Sequence, residues 1–516
     1  PLAIELAAAR LNVLGLAELL AVVDRRLALL RDRPPSDPIR TALQELVDWS
    51  YELLHVDEKT LLHQIAVHRG GASLASLLAV SANHGLDDAT VRYLLGALVD
   101  KSIVSVSFPE EQARYDLLDT VRDYVLDRLA ESGGLAAARK AHAEYFGTSS
   151  EAARAGLRGP DWLVWTKQLE RENDNLWAAL MYARDAPDPG VAIRLGASLG
   201  WYFSFSQRVS EGRQFLELAA ATASDDAPVQ LWVDLLASVC FLATEELELD
   251  SAVRAAERAL ALAASVFEPC ETAEARALLA LALVRSGERE RAGRLADEAR
   301  RSAEAVGDQW GAAVASLVAA QVAVIEGDVP TAAGLAASAV RHSEAIDYLV
   351  GLLPATLLQG WVAERRGEIE AAIDVYRRVI ELASQAGFTD HTAFALVRLG
   401  GVAVARQDLR QAEDLCRAAL AAAVTAGSVW TAAYARVQLG RVLAAAGDAD
   451  TATRLYQDAL ESSEGPRPHR ARESLQRILA GSPATAALLG LAELAEARGD
   501  AAAADALRAR AALAPV

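Results

Sequence analysis

Hydrophobic positions along this 516-residue chain recur with a helical period over most of its length. In the first third, apolar residues spaced three to four positions apart predict helices at 41–54, 57–68, 73–81, 87–101 and 119–131. Asp57 and Asp87 are placed where they would cap two of these helices. The stretches 102–107 and 113–117 instead alternate apolar and polar residues, which predicts a β-hairpin. A helix cluster followed by a hairpin is the plan of a winged-helix module.

Short turns recur every 40 residues in the second half of the chain. They pair a glycine with an acidic residue at Gly287, Gly327, Gly367 and Gly447, with Gln407 filling the gap. Small residues recur with the same period after the turns, as at Ala372 and Ala412. A second column of small residues precedes the turns, at Gly200, Cys240, Ala280, Ala320, Gly360, Gly400 and Gly440. Each period therefore predicts two antiparallel helices that cross closely at their small residues.

These columns resemble the tetratricopeptide repeat, although its usual period is about 34 residues. Seven units run in one register from about 191 to 464, and an eighth follows an insertion near 465–468. We therefore expect a mostly α protein with a winged-helix-like domain at 39–132, a helical connector at 135–190 and a solenoid of about eight repeats at 191–516.

Composition narrows the function classes. The chain has 70 acidic and 51 basic residues and a net charge of −19, which disfavours direct nucleic-acid binding. Cys240, Cys270 and Cys416 are too few and too scattered for a disulfide framework, so a cytoplasmic location is expected. The apolar stretches 309–325 and 418–435 are alanine-rich and predict no membrane span. The arginine, alanine and glycine bias is typical of a GC-rich genome such as that of an actinobacterium.

Several motif-like features have ordinary structural explanations. Ser198 lies in a Gly-x-Ser-x-Gly pattern, but inside a predicted repeat helix rather than after a strand. His63 and His68 lie five positions apart without a third ligand, so no metal site is expected. The candidate recognition helix 87–101 offers two basic against three acidic residues. Because no lysine follows a glycine anywhere, a phosphate-binding loop is missing, and we expect no enzymatic activity.

Six motifs together resemble one family. They are PLAIELAAAR at 1–10, DWSYELL at 48–54, LVDKS at 98–102, RYDLLDTVRDY at 114–124, ENDNL at 172–176 and SEGR at 210–213. They look like the AfsR/LuxR-type transcriptional regulators of the NB-ARC-like STAND class, the signal-transduction ATPases with numerous domains. The resemblance covers essentially the whole chain.

The resemblance implies where a nucleotide site would lie. Residues 1–33 would be the remnant helical part of a nucleotide-binding module, and Pro1 would match the proline of a Gly-x-Pro element near adenine. Asp119 would belong to a Met-His-Asp element that senses the phosphate, with Leu118 in place of the histidine. ATP or ADP would be a cofactor of the parent protein and not of this chain, which binds no cofactor itself.

We therefore expect the signal-sensing and autoinhibitory region of a STAND transcriptional regulator. Two columns of the repeat should face the groove and bind a small-molecule, protein or peptide inducer through Trp201, Phe241, Gln321, Trp361, Phe394, Tyr434 and Arg441. Trp201 and Trp361 could equally fill space between repeats. The other expected partner is the parent's own nucleotide-binding domain, with self-assembly on activation and without nucleic-acid or membrane contact. The alternatives are a constitutive tetratricopeptide scaffold, or the sensor of a cyclase or antiphage STAND protein.

Overall fold

The computed structural model describes residues 47–109, 112–186, 188–264, 272–464 and 479–513. Pro1, Cys270, the segment 1–33 and the insertion at 465–468 lie outside these residues. The chain divides into two compact units. The first contains the residues up to Arg154 together with Val164–Leu199 and Glu217–Ala227, and the second contains Ala155–Leu163, Gly200–Leu216 and the residues from Pro228 onward.

The first unit begins with the helix cluster and hairpin that the sequence predicts. After a helical stretch at 47–52, its elements are α1 (Val56–Val67), β1 (Ala72–Ser73), α2 (Leu74–Ala82), α3 (Asp88–Asp100), β2 (Ser105–Ser107), β3 (Arg114–Asp116) and α4 (Asp119–Glu131). The strands form one antiparallel sheet in the order β1-β3-β2. Leu61, Ile65 and Leu98 are among the fully buried side chains at the centre of this cluster.

Some local predictions were wrong. Asp57 does not cap α1, because His55 occupies the cap and exchanges hydrogen bonds with the third residue, Glu58. Asp87 does cap α3, accepting from the Thr90 amide at 2.8 Å. The sheet has a third strand, β1, at the position where the sequence predicted the start of a helix. Ser73 ends that strand and also caps α2, which explains the late helix start.

Two long helices follow, α5 (Leu135–Gly156) and α6 (Trp162–Asp185). The repeats then alternate a first helix, A, and a second helix, B. The A helices are α7 (Pro189–Phe205), α9 (Val229–Glu245), α11 (Ala273–Ser286), α13 (Gln309–Glu326), α15 (Leu349–Arg366), α17 (Thr389–Ala405), α19 (Val429–Ala445) and α21 (Pro483–Ala497). The B helices are α8 (Val209–Thr222), α10 (Leu249–Ala263), α12 (Arg289–Val306), α14 (Val329–Glu344), α16 (Ile369–Gln385), α18 (Leu409–Thr425), α20 (Ala449–Glu464) and α22 (Ala501–Leu513).

The predicted small columns lie where paired helices cross. A Cβ at Gly360 would stand 2.5 Å from the Tyr376 ring of the partner B helix, and one at Gly440 would stand 2.7 Å from Tyr456. The alanines of the B column, Ala252 to Ala452, are fully buried. Close approach of the helices therefore explains both columns, and the mostly α, tetratricopeptide-like solenoid is confirmed.

The turn between A and B helices has a left-handed residue at a strict 40-residue spacing. Positive φ angles occur at Gln207, Leu247, Gly287, Gly327, Gly367, Gln407 and Gly447. The turns from one repeat to the next also contain a residue with a positive φ angle, at Gly307, Asp347, Gly387 and Gly427. Glycine adopts this conformation freely, whereas other residues incur a cost of about 1–2 kcal/mol. The repeat therefore extends back to Gln207 at positions where no glycine marks it.

Replacing Leu247 with glycine is expected to raise the free energy of unfolding by about 0.5–1 kcal/mol. Relief of the left-handed strain at φ 62° exceeds the entropy that glycine adds to the unfolded chain. Thermal denaturation would measure the change. The reciprocal variant Gly287→Leu has open space around its Cβ and φ 89°, so it isolates the backbone effect and should be destabilised. If the two variants shift stability in the same direction, the backbone argument is wrong.

Candidate functional site

An aromatic cluster forms where A helices of distant repeats meet in the second unit. Trp201 of α7 lies with its ring centroid 4.1 Å from that of Phe241 on α9 and 5.1 Å from that of Trp310 on α13. Phe205 is a further neighbour of Trp201, at 5.9 Å. The first and fourth repeats therefore share one aromatic surface, and two of the predicted groove residues, Trp201 and Phe241, lie in it.

Two charged groups complete this surface. The Trp201 indole Nε1 donates to Glu274 Oε1 at 3.1 Å, and Arg158 Nη2 donates to Glu274 Oε2 at 2.5 Å. The Arg158 guanidinium also lies over the Trp310 ring, 4.1 Å from its centroid. Glu274 and Arg158 keep only 18% and 24% of their side chains exposed, so the pair is shielded from solvent. The site thus joins a carboxylate, a guanidinium and two indoles.

Arg158 reaches this surface from the segment between α5 and α6. The stretch Ala155–Leu163, which includes the last two residues of α5 and the first two of α6, belongs to the second unit, and we call it the inserted segment. Its Trp162 stacks on Phe388, at the start of α17, with ring centroids 5.0 Å apart, and meets Phe205 edge-on at 5.6 Å. The inserted segment therefore contacts A helices of the first, third, fourth and sixth repeats.

A cleft of about 580 Å³ opens beside the inserted segment. One side is formed by Arg158, Gly159 and Pro160, and the other by the turn residues Asp308 and Asp347 with their neighbours, including Trp310. Trp310 is only 6% exposed, yet neither its Nε1 nor the Nε of Arg158 has an acceptor among the described residues. Two buried donors therefore point to unused hydrogen-bonding capacity at this cleft.

A second polar cluster lies further along the solenoid. Arg398 of α17 makes a two-pronged ion pair with Glu364 of α15, at 2.5 and 3.0 Å, and also lies 3.4 Å from the Tyr434 hydroxyl. Tyr376 donates its hydroxyl to the same carboxylate, and burial raises the pKa of Tyr376, so it remains a neutral donor. Tyr434 is thus tied to a network that links three successive repeats.

The other predicted groove residues are dispersed. Phe394 is fully buried and lies 6.3 Å from the Tyr434 ring. Trp361 is 5% exposed, and the Arg365 guanidinium lies 5.0 Å from the centroid of its ring, which fits the space-filling explanation. Gln321 is buried with no described partner for its Oε1, and Arg441 is exposed. The predicted residues therefore lie in at least two clusters rather than one.

The first unit has its own buried polar network. Arg114, on β3, pairs with both oxygens of Glu172 at 3.0 and 3.2 Å, and its Nε donates to the Gly70 carbonyl at 2.6 Å. Asn175 accepts from the Arg69 amide at 2.7 Å and from His142 at 3.1 Å. The ENDNL motif on α6 therefore holds the hairpin and the loop after α1.

Two buried histidines lie beside this network. Burial lowers the pKa of His68 to about 4 and that of His142 to about 3. Their rings meet edge-on at 4.7 Å. His68 is therefore a neutral core residue, while His63 hydrogen-bonds the Tyr51 hydroxyl at 2.8 Å.

Two basic side chains of the winged-helix-like module are paired with carboxylates. Lys101, after the candidate recognition helix, pairs with Glu58, and Arg114 of the hairpin is committed to Glu172. Asp119 is exposed at the start of α4, after Leu118. Ser198 is buried inside α7, away from any described strand.

Sequence reasoning missed Arg158, Trp162 and Trp310. Trp310 begins an A helix outside the two chosen columns, and the inserted segment lies outside the repeat altogether. Tryptophan is scarce here, with nine in 516 residues. A grouping of tryptophans by repeat position could have found Trp310, but no local signal places Trp162 beside Phe388.

No family model matches the chain. Proteins of Mycobacterium tuberculosis and Mycobacterium bovis, named as HTH-type transcriptional regulators, are 32% identical to it over 294 residues. The matched region covers 52% of this chain and 31% of the relatives. The chain thus spans about a third of the length of the curated relatives it matches.

Two solved structures share the fold. A STAND protein with a tetratricopeptide repeat sensor, from Pyrococcus horikoshii, matches 99% of this chain and 71% of its own with a TM-score of 0.62 at 14% identity. A Rap protein complexed with competence and sporulation factor matches 72% of this chain and 97% of its own with a TM-score of 0.51 at 13% identity. The chain is thus similar in sequence to transcriptional regulators and in fold to a STAND tetratricopeptide sensor.

One described helix, α13, has the length and apolar character of a membrane span. Its mean hydropathy is 1.3, and 72% of it is buried inside the structure. It forms the A helix of the fourth repeat.

Proposed function

We propose that this chain is the signal-sensing and autoinhibitory region of a STAND-type transcriptional regulator. An inducer or partner binds the solenoid at the aromatic cluster, and the change is relayed to a nucleotide-binding domain outside the chain. ATP or ADP belongs to that domain. For such a switch to work, the inducer must bind the active and inactive states with different affinities.

The observation that carries this proposal is the composition of the surface around Trp201. Tryptophan and arginine are among the residues that dominate binding hot spots, and here they surround a shielded carboxylate. A solenoid that served only as a spacer could fill the same volume with the aliphatic residues used in its other crossings. The Rap structure with this fold is itself a complex with a factor, which supports a binding role for the solenoid.

A transcription reporter driven by the regulator that carries this chain tests the proposal. The double variant Phe241→Leu/Arg441→Gln keeps apolar volume at a half-buried position and changes an exposed one, so the fold should survive. We expect induction by the natural signal to fall at least about tenfold at unchanged protein abundance. Trp361→Ala is less suitable because truncating so buried an indole costs about 3–5 kcal/mol.

The matched control is Arg377→Gln, at an exposed position on the B helix α16. It should respond as the native protein does. Full induction of the double variant would remove these groove positions from the sensing mechanism and favour a constitutive scaffold.

A further inference from the structure

We propose that the inserted segment, Ala155–Leu163, is an internal ligand of the solenoid, displaced by a peptide that presents an arginine and a tryptophan four residues apart. This inference rests on the proposed function, because it names the partner class for the same aromatic cluster. It follows from what the segment itself places there, namely Arg158 and Trp162.

The contacts of the segment are those of a docked peptide. Arg158 supplies a cation to Glu274 and to the face of Trp310, and Trp162 supplies an indole to Phe388. Cation–π contacts and desolvated ion pairs are typical of peptide anchors in binding pockets. Pro160 and Asp161, between the two anchors, are exposed, whereas Leu157 beside Arg158 is buried.

The fit of the segment is incomplete. Arg158 Nε and Trp310 Nε1 are buried donors without an acceptor among the described residues, whereas native cores satisfy nearly all such groups. The cleft of about 580 Å³ beside them leaves room for additional chain. A longer peptide, whose own arginine takes the place of Arg158, could place a carbonyl or carboxylate oxygen against Trp310 Nε1 and bind better than the segment does.

Charge at the site favours a peptide that presents an arginine. Glu274, Asp308 and Asp347 stand on the solenoid side of the site, and the cation opposite them, Arg158, belongs to the segment. Once the segment leaves, the vacated surface carries the acidic groups, which favour an incoming cation. The segment is continuous in sequence with α5 and α6, which carry His142 and Asn175.

A labelled nonapeptide with the sequence of the segment, AGLRGPDWL, tests the proposal on the full 516-residue chain. We expect it to bind the Arg158→Ala/Trp162→Ala variant about 100-fold or more tightly than the native chain. The native segment competes at an effective concentration on the order of millimolar. A nonapeptide with alanine at the arginine and tryptophan positions should not bind. A control with Tyr93→Ala/Arg377→Ala, both exposed, should behave as native.

A second form of the chain keeps the proposal testable if the double variant misfolds. A protease site inserted between Gly159 and Pro160 and cleaved after purification divides the segment between Arg158 and Trp162, so that the two side chains no longer act as one ligand although neither is changed. If neither the double variant nor the cleaved chain binds the nonapeptide, the segment is a structural strut and the proposal is wrong. Equal binding to native and opened chains would also overturn it.

Two further outcomes distinguish an error in the partner class from an error in the proposed function. Arginine amide or N-acetyltryptophanamide binding as tightly as the nonapeptide would replace the peptide with a small molecule and overturn the partner class. The reporter response of Phe241→Leu/Arg441→Gln does not depend on the nonapeptide. Failure of the peptide test with loss of the reporter response would leave the proposed function standing.

Discussion

Replacing Arg114 with alanine is expected to destabilise the first unit by about 3–5 kcal/mol. Its guanidinium makes the two-pronged pair with Glu172 and donates to the carbonyls of Gly70 and Arg171, at 2.6 and 2.8 Å. Both side chains of the pair are only 12% exposed. Removing one partner leaves the other charge buried without compensation, which is the costly case for an ion pair.

Hydrogen exchange of the amides of β3 and α6 would measure this change separately from the solenoid. Arg114→Lys should be intermediate, because an ammonium cannot reproduce the planar fork. Arg92→Ala, at an exposed position on α3, is the matched control and should change stability by less than about 0.5 kcal/mol. Equal exchange in Arg114→Ala and Arg92→Ala would show that the network does not hold the hairpin.

Replacing Gly400 with leucine is expected to destabilise the sixth repeat by at least about 1–3 kcal/mol. A Cβ at Gly400 would stand 2.6 Å from the sulfur of Cys416 on the partner helix. The Cys416 side chain is fully buried. Overpacking of a closed crossing forces the helices apart. Because solenoid repeats support one another through nearest neighbours, the fifth and seventh repeats should loosen as well.

The adjacent glycine provides the control for the same substitution. A Cβ at Gly401 meets nothing within 4 Å, so Gly401→Leu should be neutral or stabilise α17 by about 0.5–1 kcal/mol. Thermal denaturation of the two variants gives the comparison. If Gly400→Leu has the same melting temperature as Gly401→Leu, the small column does not mark the helix crossing.

Much of the solenoid could be predicted from the sequence because its repeats are local. Glycines at left-handed turns and small residues at crossings are direct consequences of backbone and packing geometry, so they recur at one spacing. The signal disappears where the turn residue is Gln207, Leu247 or Asp347, since the chain there tolerates strain instead of using glycine. The first two repeats were visible only through their small columns.

The sites were harder to predict because they depend on contacts between distant parts of the chain. Trp201 and Phe241 fall in a repeat column, but Trp162 and Phe388 are far apart in sequence and only the folded solenoid brings them together. The hairpin was predicted by alternation, whereas β1 spans two residues and is too short to show a pattern. His55 replaced Asp57 as a cap because Glu58 completes a capping box with it.

We propose that the inserted segment occupies the sensing site of the solenoid and holds the regulator inactive until it is displaced. A transcription reporter in cells that express the regulator with Arg158→Ala/Trp162→Ala tests it most directly. We expect transcription without the natural signal, at a level close to that of the induced native protein. Output that stays at the uninduced level, from a variant that is as abundant as the native protein and binds the nonapeptide, would show that the segment does not hold the regulator inactive.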